Sequence, residues 1–313
     1  MAPRLTNIID THIHFWHPDK VKIPWMKGTP FETTKDAEEY SQQVQRIGVQ
    51  QGIYVETDVD ARHGLVEAAW IRDYVDNYRP RQDGKMASAS FGGITGVVAF
   101  APVDQGEHVR SYLQLLQRLV GKTLLRGVRY LLQDATLDPR RMVSPDFVQG
   151  VRILGEEEFK LMFEMVIDCH RCPEQFPALI ELVSLCPDVS FVLDHMGKPP
   201  CQSIPGSVDF DRWASCMKQL AQYPNVVMCK VSGLITELEG GSPTAKQLGP
   251  FVQVAKDVFG IDRLCFGGDW PICDSGGSWQ IWVDVLQEIV QAWSPEEQIK
   301  LFITNAQRCY QLV

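Results

Sequence analysis

Eight short apolar runs recur along the 313-residue chain, and longer amphipathic stretches separate most of them. The runs span residues 8–14, 51–56, 95–101, 124–132, 161–168, 189–195, 226–231 and 263–269. The stretches 61–78, 106–120, 173–186, 210–223 and 244–259 have the apolar spacing of helices. This alternation predicts an α/β fold, and the count of eight favours a closed (β/α)8 TIM barrel over an open doubly wound sheet. We expect one barrel domain over residues 1–313.

Composition narrows the classes of partner. A formal charge of -9 and a pI near 5.3, without a cluster of Lys and Arg, argue against nucleic-acid binding and favour a small-molecule substrate. The absence of a long apolar run argues against a signal peptide or a membrane span. Nine scattered cysteines are typical of reduced thiols rather than a disulfide framework. We therefore expect a soluble, cytoplasmic protein, and its oligomeric state stays open, including a homo-oligomer.

Polar side chains stand where the apolar runs end, and catalytic groups of a parallel barrel lie at those ends. His12 and His14 project from the same side of the first run, because successive strand side chains alternate between faces. The other runs carry or are followed by Glu56, Arg126, Arg129, Asp168, His170, Arg171, Asp194, His195, Lys230, Ser232 and Asp269. Since the first and last strands of a closed barrel are neighbours, His12, His14 and Asp269 are expected at one mouth.

Four segments carry a family resemblance. They are Asp-Thr-His-Ile-His-Phe-Trp at 10–16, Arg-Gly-Val-Arg at 126–129, Val-Leu-Asp-His-Met-Gly-Lys-Pro at 192–199 and Phe-Gly-Gly-Asp-Trp-Pro at 266–271. In this order the chain resembles the amidohydrolase superfamily over nearly its whole length. The similarity is to the amidohydrolase-related branch that contains L-rhamnono- and L-fucono-lactonases and pyrone dicarboxylate lactonases.

The resemblance implies a set of catalytic residues. His12, His14 and His195 would hold the substrate carbonyl, and Asp269 would act as the general base that deprotonates water. The same four residues could bind one divalent metal ion, with zinc as the first candidate. The branch contains both metal-using and metal-free lactonases, so a mononuclear and a metal-independent site both stay open. A dinuclear site is not expected, because strands four and five lack a clear equivalent of the bridging lysine.

Five further residues are candidates for substrate binding. The planar guanidinium of Arg129 could fix a carboxylate or hydroxyl groups, and His170 and Lys198 could make further polar contacts. Trp25 and Trp270 could stack on a ring, although packing alone would explain them equally well. The Gly- and Pro-rich stretches 197–206 and 271–277 are expected to form loops at the active face. The segment 16–34 is expected to arch over the barrel mouth.

Three functions remain after this reasoning. The first is hydrolysis of a lactone, with a sugar-acid γ-lactone such as L-rhamnono-1,4-lactone as the leading substrate. The second is a metal-dependent decarboxylase of an aromatic or unsaturated acid, because related branches use a similar His-x-His and Asp set. The third is a non-catalytic barrel that binds a ligand, against which the repeated polar strand ends argue.

Overall fold

Eight parallel strands follow one another around the sheet in sequence order, as the alternation predicts. The structure is a computed structural model and describes residues 6–78, 90–238, 240 and 242–312. The strands are β1 Ile8–Ile13, β2 Val49–Val55, β3 Ile94–Phe100, β4 Leu125–Arg129, β5 Met162–Met165, β6 Phe191–Leu193, β7 Val226–Val231 and β8 Leu264–Phe266. Backbone hydrogen bonds from Asp269 N to His12 O and from His14 N to Trp270 O, both 2.8 Å, join the two ends of the sheet. The fold is a (β/α)8 TIM barrel.

Helices lie between the strands and surround the sheet. They are α1 Ala37–Gln43, α2 Gly64–Asn77, α3 Val109–Val120, α4 Pro145–Leu154, α5 Gln175–Leu185, α6 Val208–Leu220, α7 Ala245–Phe259, α8 Trp279–Ile289, α9 Pro295–Ile299 and α10 Asn305–Cys309. The sequence Ser294-Pro295-Glu296-Glu297 predicts a helix start with Ser294 as its N-cap, and this prediction is confirmed, since Ser294 and Glu297 form a reciprocal capping box. None of the helices within the described ranges combines the length and the apolar character needed to cross a bilayer.

Two apolar layers hold the barrel together. The larger layer packs the helices against the outer face of the sheet. The smaller layer fills the barrel interior with Ile9, Val98, Val192 and other strand residues, and Tyr310 just after α10 joins it. The chain therefore closes the amino end of its own barrel, which leaves the carboxyl end for the functional site. All nine cysteines are free thiols, in agreement with the sequence.

The observed strands are shorter than several of the predicted runs. The run 189–195 contains a strand of only three residues, Phe191–Leu193, and the run 263–269 contains Leu264–Phe266. In both places the backbone leaves the strand through residues with positive φ, at His195 (φ 51°) and Asp269 (φ 58°). The predicted runs include residues beyond the strand ends, such as Asp194, His195 and Asp269, which are buried but belong to the turns. Four helices, α1, α4, α8 and α10, were not among the predicted helices.

The segment after β1 packs over the carboxyl end of the barrel, as predicted. Trp16, Val21, Ile23 and Met26 form an apolar cluster with Val59 after β2, and Trp25, Phe31 and Ile272 pack against it. The indole Nε1 of Trp25 donates to the carbonyl of Thr57 at 2.9 Å. These contacts connect the first loop to the loops that follow β2 and β8.

Candidate active site

Three imidazoles converge on one buried carboxylate at the carboxyl end of the barrel. His14 Nε2 lies 3.5 Å and His12 Nε2 3.8 Å from Asp269 Oδ1. The ring of His12 also lies 4.5 Å from that of His195 and 4.8 Å from that of His14, measured between centroids. All four side chains are buried. The structure therefore brings together the four residues that the sequence nominated for catalysis.

Backbone hydrogen bonds and an unusual backbone conformation set these side chains in place. Asp269 and His195 both have positive φ, a region that non-glycine residues seldom adopt and that clusters at functional sites. The backbone N–H of Asp269 donates to His12 O at 2.8 Å, so the carboxylate is tied directly to the strand that carries two of the histidines.

Two histidines have a fixed partner on the ring nitrogen that faces away from Asp269. His14 Nδ1 lies 2.9 Å from the carbonyl oxygen of Val55, which can only accept, so Nδ1 carries a proton. His195 Nδ1 lies 2.9 Å from the hydroxyl of the buried Ser232. Such partners fix the orientation of a histidine and, at metal sites, its tautomer. The Nε2 of His14 therefore faces Asp269, where it can contact a cation or a water molecule.

Asp10 fastens the end of β8 beside the site. Its two carboxylate oxygens accept from the backbone N–H of Gly268 at 2.7 Å, the hydroxyl of Tyr40 at 2.7 Å and the indole of Trp279 at 2.8 Å. They also accept from the backbone N–H of His12 at 3.0 Å. One buried side chain therefore positions the backbone of both His12 and the residue before Asp269. The carboxylate is saturated with donors, so its role is to hold the site together.

Burial and neighbouring charges set the protonation states. Burial, with smaller opposing contributions from Asp269 and Asp194, lowers the pKa of His195 to about 4. Burial and the charge of Lys230 lower the pKa of His12 well below its usual value. Burial acts to raise the pKa of Asp269, but the interactions with His195, His14 and His12, which include a hydrogen bond from His14, outweigh burial and hold this pKa below the ordinary range. At neutral pH the site therefore combines an ionised carboxylate with neutral His12 and His195.

The same side chains fit a single divalent metal ion. Donor atoms of His12, His195 and Asp269 lie within 4.8 Å of one another. Two nitrogen ligands and one oxygen ligand, with a position left for water, are typical of a catalytic zinc site. His14 Nε2, 3.5 Å from Asp269 Oδ1, is a further potential ligand at the edge of this set.

A second group of potential ligands lies deeper in the barrel and is already paired with a lysine. His12, Glu164 and Asp194 also present donor atoms within 4.8 Å of one another. The Lys230 ammonium lies between them, 2.5 Å from Glu164 Oε2, 3.1 Å from Asp194 Oδ1 and 3.2 Å from His12 Nδ1. Burial disfavours the charged lysine, but Asp194 and Glu164 raise the pKa of Lys230 above its usual value. The ammonium is therefore charged at neutral pH.

Arg129 lies inside the site but is engaged by protein groups. Its Nε donates to Glu56 Oε1 at 2.6 Å and its Nη2 to the Glu56 carbonyl at 2.5 Å. Its Nη1 lies 3.4 Å from His12 Nε2 and 3.7 Å from Asp194 Oδ2. Only Nη1 faces the reacting groups, so a substrate contact by Arg129 would involve that atom.

The remaining predicted substrate contacts occupy two different environments. His170 and Lys198 are half-buried and surround the buried Glu237, at 3.4 Å and 4.0 Å from its carboxylate. Trp25 is half-buried in the loop cluster over the mouth. Trp270 is fully buried and packs against Phe15 and Tyr40, with ring centroids 5.9 and 5.3 Å away. The contacts of Trp270 are those of a core residue.

Sequence reasoning gave no role to several residues that shape the site. Asp10 lies within the first motif, and Lys230 and Ser232 lie at the end of the seventh run. The sequence does not show which side chains these residues contact. Glu164 lies inside the fifth run and Glu237 in the turn Leu234–Glu237, so neither marked a strand end. A carboxylate within an otherwise apolar run was the available signal for Glu164.

A closed parallel barrel with imidazoles gathered on a carboxylate at its strand ends is an arrangement that can activate water. Comparison with known proteins specifies the class further. A sequence model of the amidohydrolase family matches residues 9–312. The chain belongs to the amidohydrolase family, which confirms the resemblance found in its motifs.

Individual relatives match over the full length at low identity. An L-fucono-1,5-lactonase of Burkholderia ambifaria is 27% identical, with 98% of this chain and 97% of the relative covered. An L-rhamnono-gamma-lactonase of Scheffersomyces stipitis is 23% identical, with 97% and 98% covered. A crystal structure of a Burkholderia multivorans amidohydrolase with bound zinc has a TM-score of 0.78 and 23% identity, over 98% of this chain and 99% of that one. The structural likeness supports the fold.

Proposed function

We propose that this protein is a hydrolase that opens the ring of a sugar-acid lactone. One observation carries the proposal: the buried Asp269 carboxylate lies within 3.8 Å of two imidazoles at the mouth of the barrel. Opening a lactone needs a base for water and donors for the developing oxyanion, and this arrangement can supply both. The full-length relatives named L-fucono-1,5-lactonase and L-rhamnono-gamma-lactonase support a lactone as the substrate.

Each protein group has a defined task in this mechanism. Asp269 takes one proton from water, and the resulting hydroxide adds to the lactone carbonyl carbon. The Ser232 hydroxyl can donate to His195 Nδ1, which leaves His195 Nε2–H to donate to the carbonyl oxygen as it gains charge. The ring C–O bond then breaks, and the proton held by Asp269 passes to the departing alkoxide. The product is an open-chain hydroxy acid.

A metal-assisted form of the reaction uses the same residues. His12, His195 and Asp269 would hold the ion, and a divalent ion bound there supplies Lewis-acid polarisation of the carbonyl and a more acidic water. His14 remains fixed by Val55 and keeps its Nε2 beside Asp269. The zinc in the related Burkholderia multivorans structure supports this form.

We expect the substrate to be the lactone of a single, monomeric sugar acid, which carries free hydroxyl groups. His170, Lys198 and Glu237 place both donors and an acceptor around the mouth, which suits sugar hydroxyl groups. L-rhamnono-1,4-lactone and L-fucono-1,5-lactone are the first substrates to try, because the named relatives act on lactones of these two sugar acids.

A panel of aldonolactones tests the proposal. Purified protein is mixed with each lactone in weak buffer with a pH indicator, with and without a chelator, and proton release is compared with the spontaneous rate. Enzyme-dependent acid from at least one sugar-acid lactone is the expected result. The chelator arm separates the metal-assisted from the metal-free form. No acid from any lactone would contradict the proposal, and release of CO₂ from an aromatic or unsaturated acid would favour the decarboxylase.

A further inference from the structure

Lys230 occupies an unusual position inside the barrel. It projects from β7 into the interior, and its side chain is completely buried together with those of Glu164 and Asp194. An isolated buried charge is strongly unfavourable, so buried ammonium groups are paired with carboxylates. Here the pairing is threefold, because the imidazole of His12 completes the set on the side of the candidate active site.

The groups around Lys230 have the composition of a metal site. Two carboxylates and one imidazole are common ligands of divalent ions, and their donor atoms lie within 4.8 Å of one another. The carboxylate of Asp194 is completely buried, and among the described residues neither of its oxygens accepts a hydrogen bond of good geometry. Asp194 is therefore compensated by nearby positive charge, from Lys230 at 3.1 Å and Arg129 at 3.7 Å.

The two groups of potential ligands share His12. Its Nε2 faces Asp269, at 3.8 Å, and its Nδ1 faces Asp194, at 3.5 Å. One imidazole thus lies between an outer position that fits a divalent ion and an inner position that holds an ammonium ion.

We propose that the Lys230 ammonium occupies the inner position as a built-in cation and thereby limits the site to one divalent metal ion. A covalently attached lysine compensates the inner carboxylates at all times, independent of metal supply. Its single charge and bulk leave no position for a dication between Glu164 and Asp194. The inference concerns metal number alone, so it can fail or succeed independently of lactone hydrolysis.

Metal stoichiometry tests the proposal. Wild-type protein and Lys230→Ala are equilibrated with excess Mn²⁺, which prefers oxygen and nitrogen ligands to the free thiols of this chain, and tightly bound metal is counted per chain. Lys230→Ala is expected to bind one ion more than the wild type. The double variant Lys230→Ala/Glu164→Gln removes an inner ligand and is expected to lose the additional ion.

A surface lysine provides the matched control. Lys256 pairs with Glu297 at 2.6 Å on the helical face, so Lys256→Ala should leave the metal count unchanged. Equal counts for the wild type and Lys230→Ala would overturn the proposal, as would two barrel-bound ions in the wild type.

Whether Lys230→Ala folds with and without Mn²⁺ also tests the proposal. If Lys230→Ala folds only when Mn²⁺ is supplied, the ion has replaced the ammonium, and the proposal is supported. If the variant folds neither with nor without Mn²⁺, the inner groups cannot accept a dication, and the proposal is wrong. Circular dichroism during refolding distinguishes these results without any measurement of activity.

Discussion

Each histidine of the site depends on a partner that fixes its ring. His195 is held through Nδ1 by Ser232, so we expect Ser232→Ala to lower kcat/KM for the lactone roughly 10- to 100-fold while the protein stays folded. Steady-state kinetics measures the loss. Ser215→Ala, a substitution of an exposed serine on α6, is the matched control and should have no effect. Full activity in Ser232→Ala would contradict the role assigned to this hydrogen bond.

The pKa of His195 predicts an unusual pH profile. Burial lowers this pKa to about 4, so the imidazole stays neutral when pH falls through the range in which an ordinary histidine becomes charged. Because Asp269 also stays ionised, lactone hydrolysis should persist to about pH 5 and fall only as pH approaches about 4. A profile of kcat/KM corrected for spontaneous hydrolysis measures this. Loss of activity with a midpoint near pH 6.5 would contradict the assignment.

At the residue scale, the sequence predicted which residues belong to the site better than it predicted which groups they contact. His12, His14, His195 and Asp269 were found because polar residues stand at the ends of apolar runs and because the motifs that contain them resemble those of the amidohydrolase superfamily. Ser232 and Asp10 could not be assigned, because their roles come from contacts between neighbouring strands with residues that are distant in sequence, 37 residues away for Ser232 and 258 for Asp10. Only the register of neighbouring strands brings these atoms together.

The turn that follows β8 leaves no room for a larger side chain at Gly268. A methyl group on Gly268 would lie 2.2 Å from both Asp10 Oδ2 and Trp279 Nε1, so Gly268→Ala must displace this turn. We expect a large loss of thermal stability together with a loss of activity, measured by thermal unfolding and kinetics. Gly28→Ala is the control, because a methyl group there meets nothing within 4 Å and its positive φ alone costs about 1 kcal/mol. Similar effects of the two substitutions would contradict the packing argument.

At the element scale the number and order of strands followed from the sequence, but several strand ends did not. The residues that follow β6 and β8, such as His195 and Asp269, are as buried as the strands themselves, so the sequence could not mark where strand pairing ends. Helix α4 was missed between the fourth and fifth runs, although Ser144 caps it and Pro145 begins it. Its cap and first-turn proline are the signals that would have located it.

The whole molecule is closed at one end by its own C-terminal segment. The Tyr310 hydroxyl donates to Glu164 Oε1 at 2.5 Å inside the barrel, next to the Lys230 pair. Tyr310→Phe leaves that buried carboxylate oxygen without its donor, so we expect the free energy of unfolding to fall by about 1–3 kcal/mol. Denaturant titration measures the change. Tyr223→Phe, at a half-buried position after α6, is the control and should change the free energy of unfolding little. If Tyr310→Phe left the free energy of unfolding unchanged, the role of Tyr310 in closing the barrel would be contradicted.

Hydrolysis of a lactone by the Asp269 carboxylate is the central claim, and one comparison tests it most directly. Wild type and Asp269→Asn are assayed against the best aldonolactone, with Asp262→Asn as a matched control at the opposite end of β8. A general base contributes roughly 10²- to 10⁴-fold to rate, so kcat/KM should fall by that factor in Asp269→Asn and stay unchanged in Asp262→Asn. Lactone hydrolysis that survives in a folded Asp269→Asn would contradict the account.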